Sequence, residues 1–197
     1  ELEDIGIMVH EAMTVQARSC HTPAHIFELA DASNPIQALA ALFHDVVYYQ
    51  VDEGFTPEIA DVLMPYIAVD GERIRPKILD GNGDTVYRIT LDVFDFEPGQ
   101  TLPSQQGQNE FLSALLMNRL LADHVQPSDL AKVTACIEAT IPFRGDNARG
   151  ESPPDLLEQR LAALNRQLDF GMSEEAIYDA VRWAVAFSNR DVDNFSE

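Results

Sequence analysis

The chain has 197 residues, 46% of them apolar, and a formal net charge of −20. This length suits one domain with room for an insertion, and the apolar content excludes global disorder. The charge repels nucleic-acid backbones and anionic membranes, and no apolar run approaches the roughly 20 residues that a bilayer-spanning helix needs. Two cysteines, Cys20 and Cys136, are too few for a disulfide framework or a zinc-cysteine site. They predict buried thiols in a reducing, cytoplasmic compartment. The start carries no basic segment followed by an apolar run. It opens on Glu1, so the expectation is a trimmed or processed chain.

Residues 3–18 place Ile5, Met8, Val9, Ala12 and Val15 at helical spacing. Thr22-Pro23 then supplies an N-cap and a first-position proline for a helix reaching about residue 30. Asn34-Pro35 repeats that signal, and the segment from 36 to about 49 is apolar nearly all round, as a buried helix is. From about 54 to 104 Pro, Gly and Asp become frequent. There residues 73–79 and 85–91 flank Asp80-Gly-Asn-Gly-Asp84 and predict a β-hairpin. The Asp-rich turn lacks the EF-hand pattern and its closing Glu, so it predicts a solvated turn within an insertion.

Helices resume at about 109–124, from Ser128 to about 140, at about 155–168 and from Ser173 to about 189. A polar loop at 142–154 carries Arg144 and Arg149. The expected fold is one mostly α domain over 1–197, a helical bundle with a hairpin-containing insertion at about 54–104.

His44 and Asp45 carry the chemistry. They lie between Ala38-Leu-Ala-Ala-Leu-Phe43 and Val46-Val-Tyr-Tyr49. A carboxylate buried there is costly unless it is paired or bound to a cation. No Lys or Arg occurs between Ser19 and Glu72, so a local salt bridge is not at hand and a divalent ion is the economical partner. His25 falls in the first turn of the 22–30 helix, where the dipole keeps the ring neutral for ligation. His21, just outside, is a candidate ligand, outer-shell hydrogen-bond partner or substrate contact. In the last helix Ile177, Val181, Ala184, Phe187 and Asp191 share a stripe, which turns Asp191 inward and Asp193 about 200° away. His25, His44, Asp45 and Asp191 are thus the expected metal ligands, for iron, manganese, zinc, nickel or magnesium alike.

The ordered set resembles the H…HD…D signature of the HD superfamily of metal-dependent phosphohydrolases. His25-Ile-Phe-Glu-Leu-Ala30 resembles that family's first-histidine helix. Leu39-Ala-Ala-Leu-Phe-His-Asp-Val-Val-Tyr48 resembles its A-A-x-x-H-D-x-V-Y stretch. Asn109-Glu110 with Ser113-Ala114 resembles N-E-x-x-S-A, and Ile137-Glu-Ala-Thr140 resembles I-x-A-T. The likeness covers about 15–50, 105–145 and 175–195. Where the family commonly has a histidine after I-x-A-T, this chain has Ile141-Pro-Phe-Arg144.

The resemblance implies an HD-like helical bundle and an enzyme that hydrolyses a nucleotide or other small phosphate ester with metal-activated water. It makes Glu110 the candidate general acid or base beside Asp45. A phosphate substrate calls for cations, and Arg18, Arg144 and Arg149, with His21, are the candidates. Expected partners are a small-molecule phosphate ester, with no nucleic-acid polymer and no membrane; a homo-oligomer is left open. Two other readings stand beside this one. One is a catalytically silent ligand-binding or regulatory module on the same scaffold. The other is an all-α domain whose buried Asp is satisfied by hydroxyls such as those of Tyr48 or Thr140.

Overall fold

The computed structural model describes residues 2–14, 26, 29–31, 33–52, 54–79 and 84–194. Among them are eight helices and one two-stranded sheet. In chain order these are α1 (Leu2–Met13), α2 (Pro35–Phe43), α3 (Pro57–Leu63), β1 (Ile67–Asp70), β2 (Arg73–Pro76), α4 (Thr85–Phe94), α5 (Gln108–Leu121), α6 (Pro127–Ala139), α7 (Pro153–Leu168) and α8 (Glu174–Asn194). The mostly α expectation and the presence of a hairpin are both met. Among the described residues no helix is long and apolar enough to cross a membrane.

Helix α6 is the hub, packing against α2, α4, α5, α7 and α8. Its sequence explains this, because Leu130, Ala131, Val133, Ala135, Cys136 and Ile137 are all fully buried. Apolar residues all round a helix demand neighbours on every side. Asn118 on α5 donates through Nδ2 to Thr90 Oγ1 and Thr134 Oγ1, each at 2.9 Å, tying α4, α5 and α6 together inside the core.

The hairpin differs from the sequence expectation. Residues 73–76 form its second strand, but their antiparallel partner is 67–70, not 85–91. Asp70 pairs with Arg73 across a two-residue loop in which Gly71 sits at φ +60, a backbone state that glycine takes readily. Residues 85–94 are helical. Asp84 caps them, its side chain accepting from the amides of Val86 and Tyr87. Helical spacing puts Val86, Ile89, Val93 and Phe94 into the core. The β-branched and aromatic composition suggested a strand, but the cap and the packing against α6 decide for helix. The Tyr87 hydroxyl donates toward the carbonyls of Tyr66 and Lys77, joining α4 to the hairpin. Residues 80–83, the expected turn, lie outside the described residues.

A second difference concerns α2. The expected helix to about residue 49 ends at Phe43. Past His44 the amides find partners on α5: Val47 N–H donates to Ser113 Oγ at 3.0 Å and Tyr49 N–H to Asn109 Oδ1 at 3.2 Å. Side chains of α5 thus replace the helical ladder. The N-terminus of α2 is as expected, with Asn34 Oδ1 accepting from Ile36 and Gln37.

Candidate functional site

His44 stands where α2 stops, and it is 1% exposed. Its ring is fixed from both sides. Nδ1 lies 3.1 Å from the Ala41 carbonyl, which can only accept, so Nδ1 carries the proton. The Phe187 ring meets the imidazole edge-to-face at 5.7 Å. Nε2 therefore points in a set direction, and two carboxylates meet it there: Asp45 Oδ2 at 2.8 Å and Asp191 Oδ1 at 3.5 Å. Asp191 comes from the far end of α8, on the stripe that also buries Ile177, Val181, Ala184 and Phe187. The apolar pattern that brings α8 onto the core delivers this acid to His44.

The electrostatics follow from this placement. Burial pulls the His44 pKa down, but the charge of Asp45 and the hydrogen bonds and charge of the two carboxylates outweigh it and raise the value to about 10. Glu110, in the first turn of α5, has its carboxyl pKa raised chiefly by desolvation. The charge of Asp45 adds to the rise, and His44 and Arg144 oppose it. Glu110 thus sits within the field of the His44–Asp45 pair. Asn109, its neighbour on α5, holds the Tyr49 amide, so the same turn of helix carries the acid and secures the turn segment that follows α2.

Of the other expected site residues, Arg18, His21 and His25 lie outside the described residues. Arg144 is engaged by Glu138, which is 1% exposed: both terminal nitrogens reach the carboxylate, and Nη2 also donates to the Glu138 carbonyl at 3.0 Å. Arg149 is 75% exposed and pairs with Glu151 at 2.8 Å. Neither guanidinium contacts His44 or Asp191 in the described ion pairs.

Of the expected metal ligands, His44, Asp45 and Asp191 lie among the described residues. They touch one another as an imidazole clasped by two acids. Among the described residues no group of three or more His, Cys, Asp or Glu side chains is spread around a common point as a metal requires. Three features escaped the sequence reading. The Ala41 carbonyl that sets the tautomer is backbone and leaves no residue signal. Glu138 is buried against two arginines, and its signal was an acid among the buried apolar residues of α6. Arg190, next to Asp191, has Nε and Nη2 buried without a hydrogen-bond partner among the described residues and lines a cavity of about 540 Å³.

No family model, curated protein or solved structure matches this chain.

Proposed function

We propose that the protein is a metal-dependent phosphohydrolase of HD-superfamily type, acting on a small phosphate ester. One observation carries the reading: His44 Nε2 faces two carboxylate oxygens while Nδ1–H is committed to a carbonyl. A neutral ring in that tautomer points its lone pair at two negative charges. A cation on Nε2, either a proton or a metal ion, relieves that repulsion. The donor set of one imidazole and two carboxylates suits a divalent first-row ion, and the H…HD…D order supplies His25 as a further ligand.

The fit is supported by the chemistry of the donors. His44, Asp45 and Asp191, with His25, would hold the ion. When bound, such an ion acidifies water and offsets the charge of phosphate oxygens. Ala41 holds His44 in the ligating tautomer. Glu110, with its pKa raised by burial, retains a proton at higher pH than an exposed Glu and can deliver it to a leaving oxygen. The local cationic charge also answers the problem posed by a chain of net charge −20, which otherwise repels phosphate.

The commitment of Arg144 to Glu138 favours, as a second reading, a module that binds a ligand on this scaffold without turnover. Purified protein loaded in turn with Mn, Fe, Zn, Ni and Mg ions, and offered a panel of nucleotides and phosphomonoesters, tests both. The hydrolase releases phosphate, and Asp45→Ala abolishes that release while the fold persists. Absence of phosphate from every combination rejects the hydrolase. If Asp45→Ala instead mainly lowers the melting temperature, the site is structural.

A further inference from the structure

The turn after α6 puts Phe143 at φ +58, a left-handed conformation that bulky side chains rarely adopt, and leaves its ring 99% exposed. An aromatic ring held in solvent by an unfavourable backbone calls for a reason. The hold comes from the next residue, since Arg144 is clamped on buried Glu138. A second guanidinium, from Arg160 on α7, reaches the same carboxylate through Nη2 at 2.8 Å. One arginine suffices to neutralise Glu138. Two leave a positive charge over, in a chain of net charge −20. Arg144 Nε is also buried without a hydrogen-bond partner among the described residues.

Phe143, Arg144 and Arg160 line one cavity of about 550 Å³, together with Gln106 and Gln159. That volume is in the range of small-molecule sites, about 300–1,000 Å³. Asp95 is the acidic side chain of its wall, and it is exposed, so solvent screens it. The cavity thus offers an aromatic face, two guanidiniums in formal balance with Glu138 and the screened Asp95, and two neutral amides able both to donate and to accept.

We propose that this cavity, between the Phe143–Arg144 turn and α7, binds a mononucleotide, with the base stacked on Phe143 and the phosphate held by the Arg144–Arg160 pair. Base stacking on an exposed ring is tolerant of base identity. Guanidiniums match phosphate geometry in a way that a lone ammonium does not. The Gln106 and Gln159 amides then meet the edge of the base. The lining of the cavity does not include His44, Asp45, Glu110 or Asp191, and the binding does not depend on hydrolysis.

Calorimetric titration of the full chain with AMP, adenosine and inorganic phosphate tests this. AMP should bind more tightly than adenosine or phosphate. Phe143→Ala should weaken AMP by about tenfold or more and leave phosphate unchanged, whereas Arg160→Gln should weaken both. Because Phe143 is exposed, its variant should keep the native circular-dichroism spectrum and melting temperature. AMP binding that is absent, or equal in Phe143→Ala and the parent chain, overturns the proposal. Binding that follows Phe143 in a protein that releases no phosphate removes the hydrolase reading and keeps this one.

Discussion

The Glu110 carboxyl is starved of water and pushed by the charge of Asp45, so its pKa is raised, with His44 and Arg144 pulling the other way. A carboxyl whose pKa rises on folding holds its proton more tightly in the native state, so ionising it at neutral pH works against folding. Glu110→Gln should therefore leave the melting temperature equal or higher at pH 7. If Glu110 is the general acid, the same change should cut phosphate release by roughly 10²–10⁴-fold. A loss of both stability and activity would make Glu110 a structural residue. His44 behaves oppositely. Its folded pKa is raised from 6.5 to about 10. The stabilisation from an imidazolium between two acids is fully present below about 6.5 and is lost as pH rises through about 10. Chelator-treated protein should melt at falling temperature across that window, and a divalent ion that replaces the proton on Nε2 should flatten the fall. A flat profile without metal would refute the two-carboxylate clasp. At this scale His44, Asp45 and Asp191 were legible because charged residues stand out on apolar stripes. Glu138 was not, because its two arginines follow it by 6 and 22 residues.

Among the elements, α4 rests most on one residue. Asp84 accepts from two amides at the helix start, takes the Tyr66 hydroxyl at 3.0 Å and pairs with Arg119 of α5. Asp84→Ala should cost about 1–2 kcal/mol in urea unfolding through loss of the cap. Asp84→Asn, which keeps the capping oxygen but drops the charge, should cost clearly less. Equal losses would show that the Arg119 pair, and not the cap, holds α4. This helix is also where the pattern was misread. Thr85-Val-Tyr-Arg-Ile-Thr-Leu91 is rich in β-favouring residues, and propensity is a weak guide once a cap and a core-facing stripe agree. The insertion at 54–104 thereby contributes a helix to the main core, because α4 packs on α5, α6 and α7.

For the molecule as a whole, 33 acidic side chains against 13 basic ones create self-repulsion that folding must overcome. Raising sodium chloride from about 10 to 200 mM shortens the Debye length from about 30 Å toward 8 Å. The melting temperature should rise by several degrees at neutral pH, as calorimetry would record. A fall would mean that the ion pairs, such as those on Glu138, outweigh the global repulsion.

The helices near 108–121, 127–139, 153–168 and 174–194, the inward turn of Asp191 and the anomaly of His44-Asp45 were determined by the sequence alone, since each is a matter of local periodicity and of charge against apolar neighbours. The tertiary structure decided the rest: the strand that pairs with Arg73–Pro76, the end of α2 at Phe43, the tautomer of His44 and the sharing of Glu138 by Arg144 and Arg160. Each depends on groups far apart in the chain or on backbone carbonyls, and these meet only when burial closes the core.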